Sequence, residues 1–153
     1  MAEPRWLTDV EQRAWRALVE SSRALFEALD RELQRDADMP HTYFEVLVRL
    51  SEAPERSLRM SELADLTLSS RSRLSHAVAR LEERGWVERR NCETDRRGQV
   101  ATLTDAGFAV LRDAAPGHVA AVRRYVVDAL DPAQLAALTE IGETIRARVE
   151  GDG

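Results

Sequence analysis

The sequence contains no lysine: all 22 of its basic residues are arginine. The bias is global and singles out no site. A single cysteine, Cys92, excludes an internal disulfide and fits a reducing compartment. No apolar run approaches the ~18 residues that suggest a membrane span, and the N-terminus lacks the apolar stretch of a signal peptide. A cytoplasmic protein is the expectation. The seven glycines (85, 98, 107, 117, 142, 151, 153) never cluster into a phosphate-binding loop, and no Gly-x-Ser-x-Gly occurs. The three histidines, His41, His76 and His118, are far apart, with no second His or Cys at metal-ligand spacing. The sequence therefore points away from an enzyme, and neither a metal nor a cofactor is expected.

What is present is charge, unevenly spread. The chain of 153 residues carries a net charge of −5, which read alone argues against nucleic acid. From Arg71 to Arg97, however, eight arginines face five acids, a local charge of +3 that leaves −8 for the rest. A basic patch on an acidic body holds phosphates without coating the protein in nucleic acid. With 44% hydrophobic residues, a packed core is within reach.

Hydrophobic spacing predicts a mainly α chain. Leu7, Val10, Ala14, Leu18, Leu25 and Leu29 predict a helix from about Asp9 to Gln34, capped by Thr8 or Asp9. Thr42 and Glu45 have capping-box spacing for a second, buried helix containing Phe44, Leu47, Val48 and Leu50. A short helix over Ser61 to Leu66 follows, then a longer one from Arg71 to Arg84, with Ser70 as N-cap and Gly85 as a left-handed terminator. Trp86 to Cys92 and Gln99 to Leu103 read as strands around a polar tip, Glu93 to Gly98. Short helix, turn, helix and hairpin, in that order, make a winged helix-turn-helix.

Thr104 and Asp105 cap a further helix, whose apolar residues from Phe108 to Ala129 recur at steps of three and four, with a bend expected at Pro116. Asp131-Pro132 opens a last helix, with Gln134 in capping-box position and a seam of Leu135, Leu138, Ile141, Ile145 and Val149. These stripes exceed what one winged helix can cover. A homodimer is the economical solution. The reading is thus one domain, with 38–104 as a DNA-binding lobe and 1–37 and 105–153 as dimerisation helices.

On the helix from Arg71, Leu74, Ala77, Val78 and Leu81 share one side, leaving Ser72, His76 and Ala79 at the centre of the other. Ser75, Arg80 and Arg73 flank that outward face. Small hydroxyls let a helix approach base edges, while Arg or His donates to guanine N7 and O6. Ser70 and Arg71 begin a helical turn whose free amides suit a phosphate. At the hairpin tip Arg96 and Arg97 are candidates for the minor groove, with Asp95 orienting them.

The stretches Met60-Ser61-Glu62-Leu63-Ala64, Leu68 to Glu82, Gly85-Trp86-Val87, Asp95-Arg96-Arg97 and Leu103-Thr104-Asp105-Ala106-Gly107 resemble the multiple-antibiotic-resistance regulator (MarR) family. The resemblance implies a triangular homodimer whose recognition helices enter successive major grooves of double-stranded DNA. It also implies a repressor released by a small phenolic, acidic or drug-like effector, or by oxidation. Oxidation-sensing relatives carry a cysteine near the start of the first long helix, whereas Cys92 lies at the edge of the wing. The effector cleft of relatives lies between dimer helices and DNA-binding lobe, which makes Trp15 and His41 candidates to line it. The alternative is a winged-helix protein-interaction adaptor without DNA binding, kept open by the acidic pI of about 5.3.

Overall fold

The first helix, α1 (Asp9–Ala37), begins where its capping box predicts. The Thr8 hydroxyl accepts the Glu11 N–H at 3.3 Å, and the Glu11 carboxylate accepts the Thr8 N–H at 2.7 Å. Two free amides at the helix start are thereby satisfied. The computed structural model describes residues 4–67, 69–92 and 98–151. Within it α1 runs three residues past the expected Gln34, stopping at Asp38 in the left-handed conformation (φ 48°). Only its C-terminal half reaches the core, through Leu29 and Leu33.

Helix α2 (His41–Glu52) departs from expectation at its start. Pro40, not the Thr42–Glu45 box, occupies the cap position, and no local side chain caps the helix. The cap comes from α1 instead: the Asp30 carboxylate accepts the His41 N–H at 2.8 Å. A tertiary acceptor has taken the role that the local sequence assigned to Thr42. After a 3₁₀ turn (Pro54–Arg56) comes a strand the sequence did not reveal, β1 (Ser57–Arg59). Three residues are too few to display an alternating pattern.

Helices α3 (Met60–Leu66) and α4 (Arg71–Glu83) lie close to their expected bounds, and the Ser70 hydroxyl caps α4 by accepting the Arg73 N–H at 3.3 Å. Gly85 stops the chain in the left-handed region (φ 74°), as predicted. Strands β2 (Val87–Asn91) and β3 (Gln99–Leu103) pair antiparallel, Val87 opposite Leu103 and Asn91 opposite Gln99. β1 pairs with the other edge of β3, so the sheet order is β1-β3-β2 and the wing is three-stranded at its base.

The core gathers Leu33, Met39, Phe44, Leu47, Leu50, Leu63, Leu74, Val78, Leu81, Val87, Leu103 and Leu111, each nearly sealed from solvent. Each such side chain contributes roughly 1.5–3 kcal/mol of burial. Their joint effect is to fix the angle of α4 against α2 and the sheet.

Helix α5 (Asp105–Val122) starts at Thr104, whose hydroxyl accepts the Gly107 N–H at 3.0 Å and donates to the Gly85 carbonyl at 2.7 Å. Gly107 is required by contact: a Cβ there would overlap the Trp86 carbonyl oxygen. The helix passes through Pro116 without interruption, and its departure from α geometry comes later, as a π turn at Arg123–Val127. Glu32 of α1 holds that turn, accepting from the Tyr125 hydroxyl at 2.5 Å and pairing with Arg124. These two partners keep its carboxyl below the ordinary value. Helix α6 (Pro132–Gly151) opens on the expected box, with Asp131 N–H to Gln134 at 3.0 Å and the return bond at 2.8 Å. None of its side chains is buried.

Candidate nucleic-acid interface and the adjoining cleft

Every predicted helix residue of the interface is at the surface. Ser70, Arg71, Ser72, Arg73, Ser75, His76 and Arg80 are exposed, while Leu74, Ala77, Val78 and Leu81 are buried on the opposite side. The helical period thus divides α4 into a core face and a polar outward face. Beside that face lies a groove of about 390 Å³ between Ser72, Arg73, His76 and Arg80 of α4 and Pro40, Thr42 and Tyr43 of the α2 start. A second hollow joins Ser61 of α3, Arg71 and Ser75 of α4, and Gln99 of β3. Thr42, Tyr43, Ser61 and Gln99 were not marked by sequence. They belong to other elements, and only the fold brings them to the recognition helix.

The arginines of the basic segment divide by occupation. Arg89 is spent on structure: its Nε and N–H reach the Glu82 carboxylate at 2.7 and 3.1 Å, tying β2 to α4. Arg84 donates to the Asp38 carbonyl at 2.8 Å and lies 4.9 Å from the Trp86 ring centroid, closing α4 onto the α1–α2 joint. Arg90 pairs with Glu88. Arg80 pairs with Glu83 one turn on at 2.7 Å, an exposed contact readily exchanged for phosphate. Arg71 and Arg73 have no carboxylate partner among the described residues. The charge count over the segment therefore overstates the cations available for binding. Asp95, Arg96 and Arg97 lie outside the described residues. The hairpin leading to them is closed by the Cys92 N–H on the Gly98 carbonyl at 2.8 Å, with Cys92 itself half-buried.

On the other side of Thr42 and Arg73 opens a larger cleft, about 870 Å³, walled by α1, α2 and α5. His41 lies in its wall. Trp15 does not line it: that ring is 58% exposed on the outer half of α1. In its place stands His118, which sequence had not associated with His41. Their ring centroids are 5.7 Å apart, with Phe26 5.5 Å from His41 and Phe44 4.4 Å from His118. The His118 Nδ1 is buried without a hydrogen-bond partner among the described residues. Burial first, and His41 second, push this imidazole below its ordinary value. The one available signal was its place in the apolar pattern of α5. Among the described residues no group of three or more His, Cys, Asp or Glu is arranged to hold a metal ion.

Residues 37–98, which hold α2 through β2, match the model of the MarR family. A solved MarR family transcriptional regulator of Streptomyces coelicolor, Sco3205 in complex with DNA, is 56% identical, with 97% of this chain and 91% of that one covered at a TM-score of 0.88. The chain belongs to the MarR family. AbsC, another MarR family transcriptional regulator of Streptomyces coelicolor, is 44% identical over 97% of this chain and 99% of that one, at a TM-score of 0.89. The transcriptional repressor MprA of Escherichia coli (strain K12) is 37% identical over 75 residues, 49% of this chain and 43% of MprA, so the match spans less than half of that repressor. The MarR winged helix is thus the fold of this chain, and the sequence resemblance is borne out. The family is one of transcriptional regulators rather than enzymes. No helix among the described residues is long and apolar enough to cross a membrane.

Proposed function

We propose that this protein is a homodimeric, ligand-responsive MarR family repressor that binds an inverted-repeat operator. The observation that carries the reading is the outward face of α4, where short hydroxyls, His76 and two arginines without carboxylate partners among the described residues stand exposed. Ser72 and His76 meet base edges, and Arg71, Arg73 and Arg80 meet phosphates. Arg96 and Arg97 reach the minor groove or backbone, with Asp95 orienting them. That the 56% identical relative was solved in complex with DNA supports the same use of this surface. In this reading 38–104 form the DNA-binding lobe, while the helices before and after it join two protomers. The exposed stripe of Val10, Trp15, Leu138, Ile141 and Val149 supports that pairing. The cytoplasm is its compartment, and the His41–His118 cleft takes the effector. No observation favours the adaptor reading, which leaves the free guanidiniums of α4 without a use.

The test is to pass fragmented genomic DNA over the purified protein and sequence what is retained. The retained fragments should share an inverted repeat with half-sites about one helical turn apart. Affinity for that repeat should fall steeply with salt, with a log–log slope of about −0.9 per neutralised phosphate. Absence of a shared sequence, or affinity indifferent to salt, contradicts the proposal.

A further inference from the structure

Helix α6 stands apart from the rest of the chain. None of its side chains is buried, and among the described residues it packs extensively on no other element. Its direction is therefore set where the chain leaves α5, at the π turn Arg123–Val127. There the Asp128 N–H donates to the Arg123 carbonyl at 2.8 Å, five residues back rather than four. One extra residue in a turn shifts every later side chain by roughly 100° and bends the axis. The Arg123 guanidinium and the Asp128 carboxylate close the same interval at 2.5 Å. On an α-helix the facing neighbours are three and four residues apart, so this pair suits the π turn rather than an α turn.

The turn is also held from outside. The Glu32 Oε1 accepts the Tyr125 hydroxyl at 2.5 Å and an N–H of Arg124. Both bonds end on one oxygen, carried by a side chain that is only 15% exposed. Leu29 and Leu33 beside it are buried, so this carboxylate projects from a fixed stretch of backbone. The charged neighbours on α1, Arg35 and Asp36, are engaged with each other at 2.6 Å and leave Arg124 to Glu32. Glu32 thereby ties α1, whose outer half carries Val10 and Trp15 in water, to the point from which α6 departs. The lever is long: the 20 residues of α6 span about 30 Å. A tilt of about 10° at the turn moves its far end by about 5 Å, more than the ~3.4 Å rise of one base pair.

We propose that Glu32 is a positioning residue for DNA recognition: through Arg124 and Tyr125 it fixes the direction of α6, and so the half-site spacing that the dimer accepts. The inference rests on the regulator reading above, in which α6 helps join two protomers. Glu32 touches no DNA in this account. Each lobe reads its half-site with α4, and the network at Glu32 decides how far apart the two α4 helices stand. Without it the exit of α6 has only the Arg123–Asp128 pair to define it, and the dimer tolerates several separations.

The experiment uses the full-length protein and four duplexes in a fluorescence-anisotropy assay. They are the retained inverted repeat, the same repeat with one base pair inserted or deleted between its half-sites, and a single half-site. Wild type should prefer the retained spacing by about tenfold or more over either altered one. Glu32→Ala should sediment as a dimer and bind the single half-site as wild type does, while its preference among spacings falls to about threefold or less. Tyr125→Phe removes one of the two bonds and should lie between. Glu32→Gln keeps an acceptor oxygen for both donors and should restore most of the preference, which a role in charge alone would not allow. A dimeric Glu32→Ala protein with the wild-type spacing preference overturns the inference. So does a loss of affinity equal on the single half-site and the full repeat, which reports a damaged lobe. If Glu32→Ala unfolds or dissociates, Tyr125→Phe decides, and an unchanged spacing preference there overturns the inference. A wild type that binds the repeat equally well at all spacings also overturns it and leaves the regulator reading intact. Failure of wild type to bind any repeat sinks the regulator reading itself, and this inference with it.

Discussion

Two regions of this molecule use the same residue types at the same helical spacing and meet opposite fates. Between α2 and β3 the apolar stripes close on each other: Leu47, Leu50, Leu63 and Leu81 are each 0% exposed. In the outer half of α1 and throughout α6 the equivalent stripes stand in water, with Val10 at 67%, Ile141 at 54% and Val149 at 70%. Periodicity foretells that a helix has an apolar face. It does not say which surface covers that face. The inner lobe covers itself, whereas large apolar side chains on the outer helices stand exposed.

The comparison breaks most visibly if the outer helices are made self-sufficient. Ile141→Glu combined with Ile145→Glu places two charges on the α6 seam. The double variant should sediment as a monomer with the helical content of the lobe retained. Its operator affinity should fall on the order of 10²-fold or more, because two half-sites are no longer bound by one linked reader. A variant that stays dimeric and binds as before removes α6 from the interface.

A smaller effect is expected within the inner lobe, where packing leaves no slack. Gly107→Ala drives a Cβ into the Trp86 carbonyl oxygen and the Leu103 side chain. It should cost about 3 kcal/mol, the upper end of the usual overpacking range, read from the urea midpoint. Gly117 and Gly142 meet nothing within 4 Å, so alanine there should be tolerated or mildly stabilising. Equal responses at all three would contradict the tight junction at the base of the wing.

The smallest effect concerns the seam between the regions, where His118 of α5 faces α2. Burial and the neighbouring His41 hold the folded imidazole below its ordinary 6.5, so the unfolded chain binds the proton first as pH falls. Stability is full above about pH 6.5, declines below it, and the decline levels off once the folded ring itself takes the proton. His118→Gln should flatten this part of the curve of urea midpoint against pH. Parallel curves for variant and wild type would assign the acid sensitivity to other groups.

Most of the fold was legible in the sequence because its signals were local. Thr8, Ser70 and Thr104 cap helices, Gly85 ends one, and Asp131 with Gln134 opens another, each through bonds within a few residues. What was not legible depended on distant partners. Asp30 displaced the Thr42 capping box from eleven residues away, and β1 exists because β3 offers it an edge. The outward face of α4 was readable from helical period alone. Charge counting erred at Arg84 and Arg89, since only the folded chain sets Asp38 and Glu82 beside them. The cleft depends on packing in the same way, since His118 reaches His41 only through the packing of α5 on α2. The family resemblance, carried by contiguous motifs, was the most legible signal of all.

The central claim is that the exposed face of α4 reads bases while its arginines hold the backbone. The direct test selects preferred sites from a random duplex pool with wild type, His76→Ala and Arg71→Ala. His76→Ala should shift the preferred base at defined positions of each half-site, at about 1–3 kcal/mol of discrimination per lost contact. Arg71→Ala should select the wild-type site with uniformly lower affinity and a salt slope reduced by about one per protomer. Unchanged base preferences for His76→Ala, or a rewritten site for Arg71→Ala, would contradict this division of labour on the recognition helix.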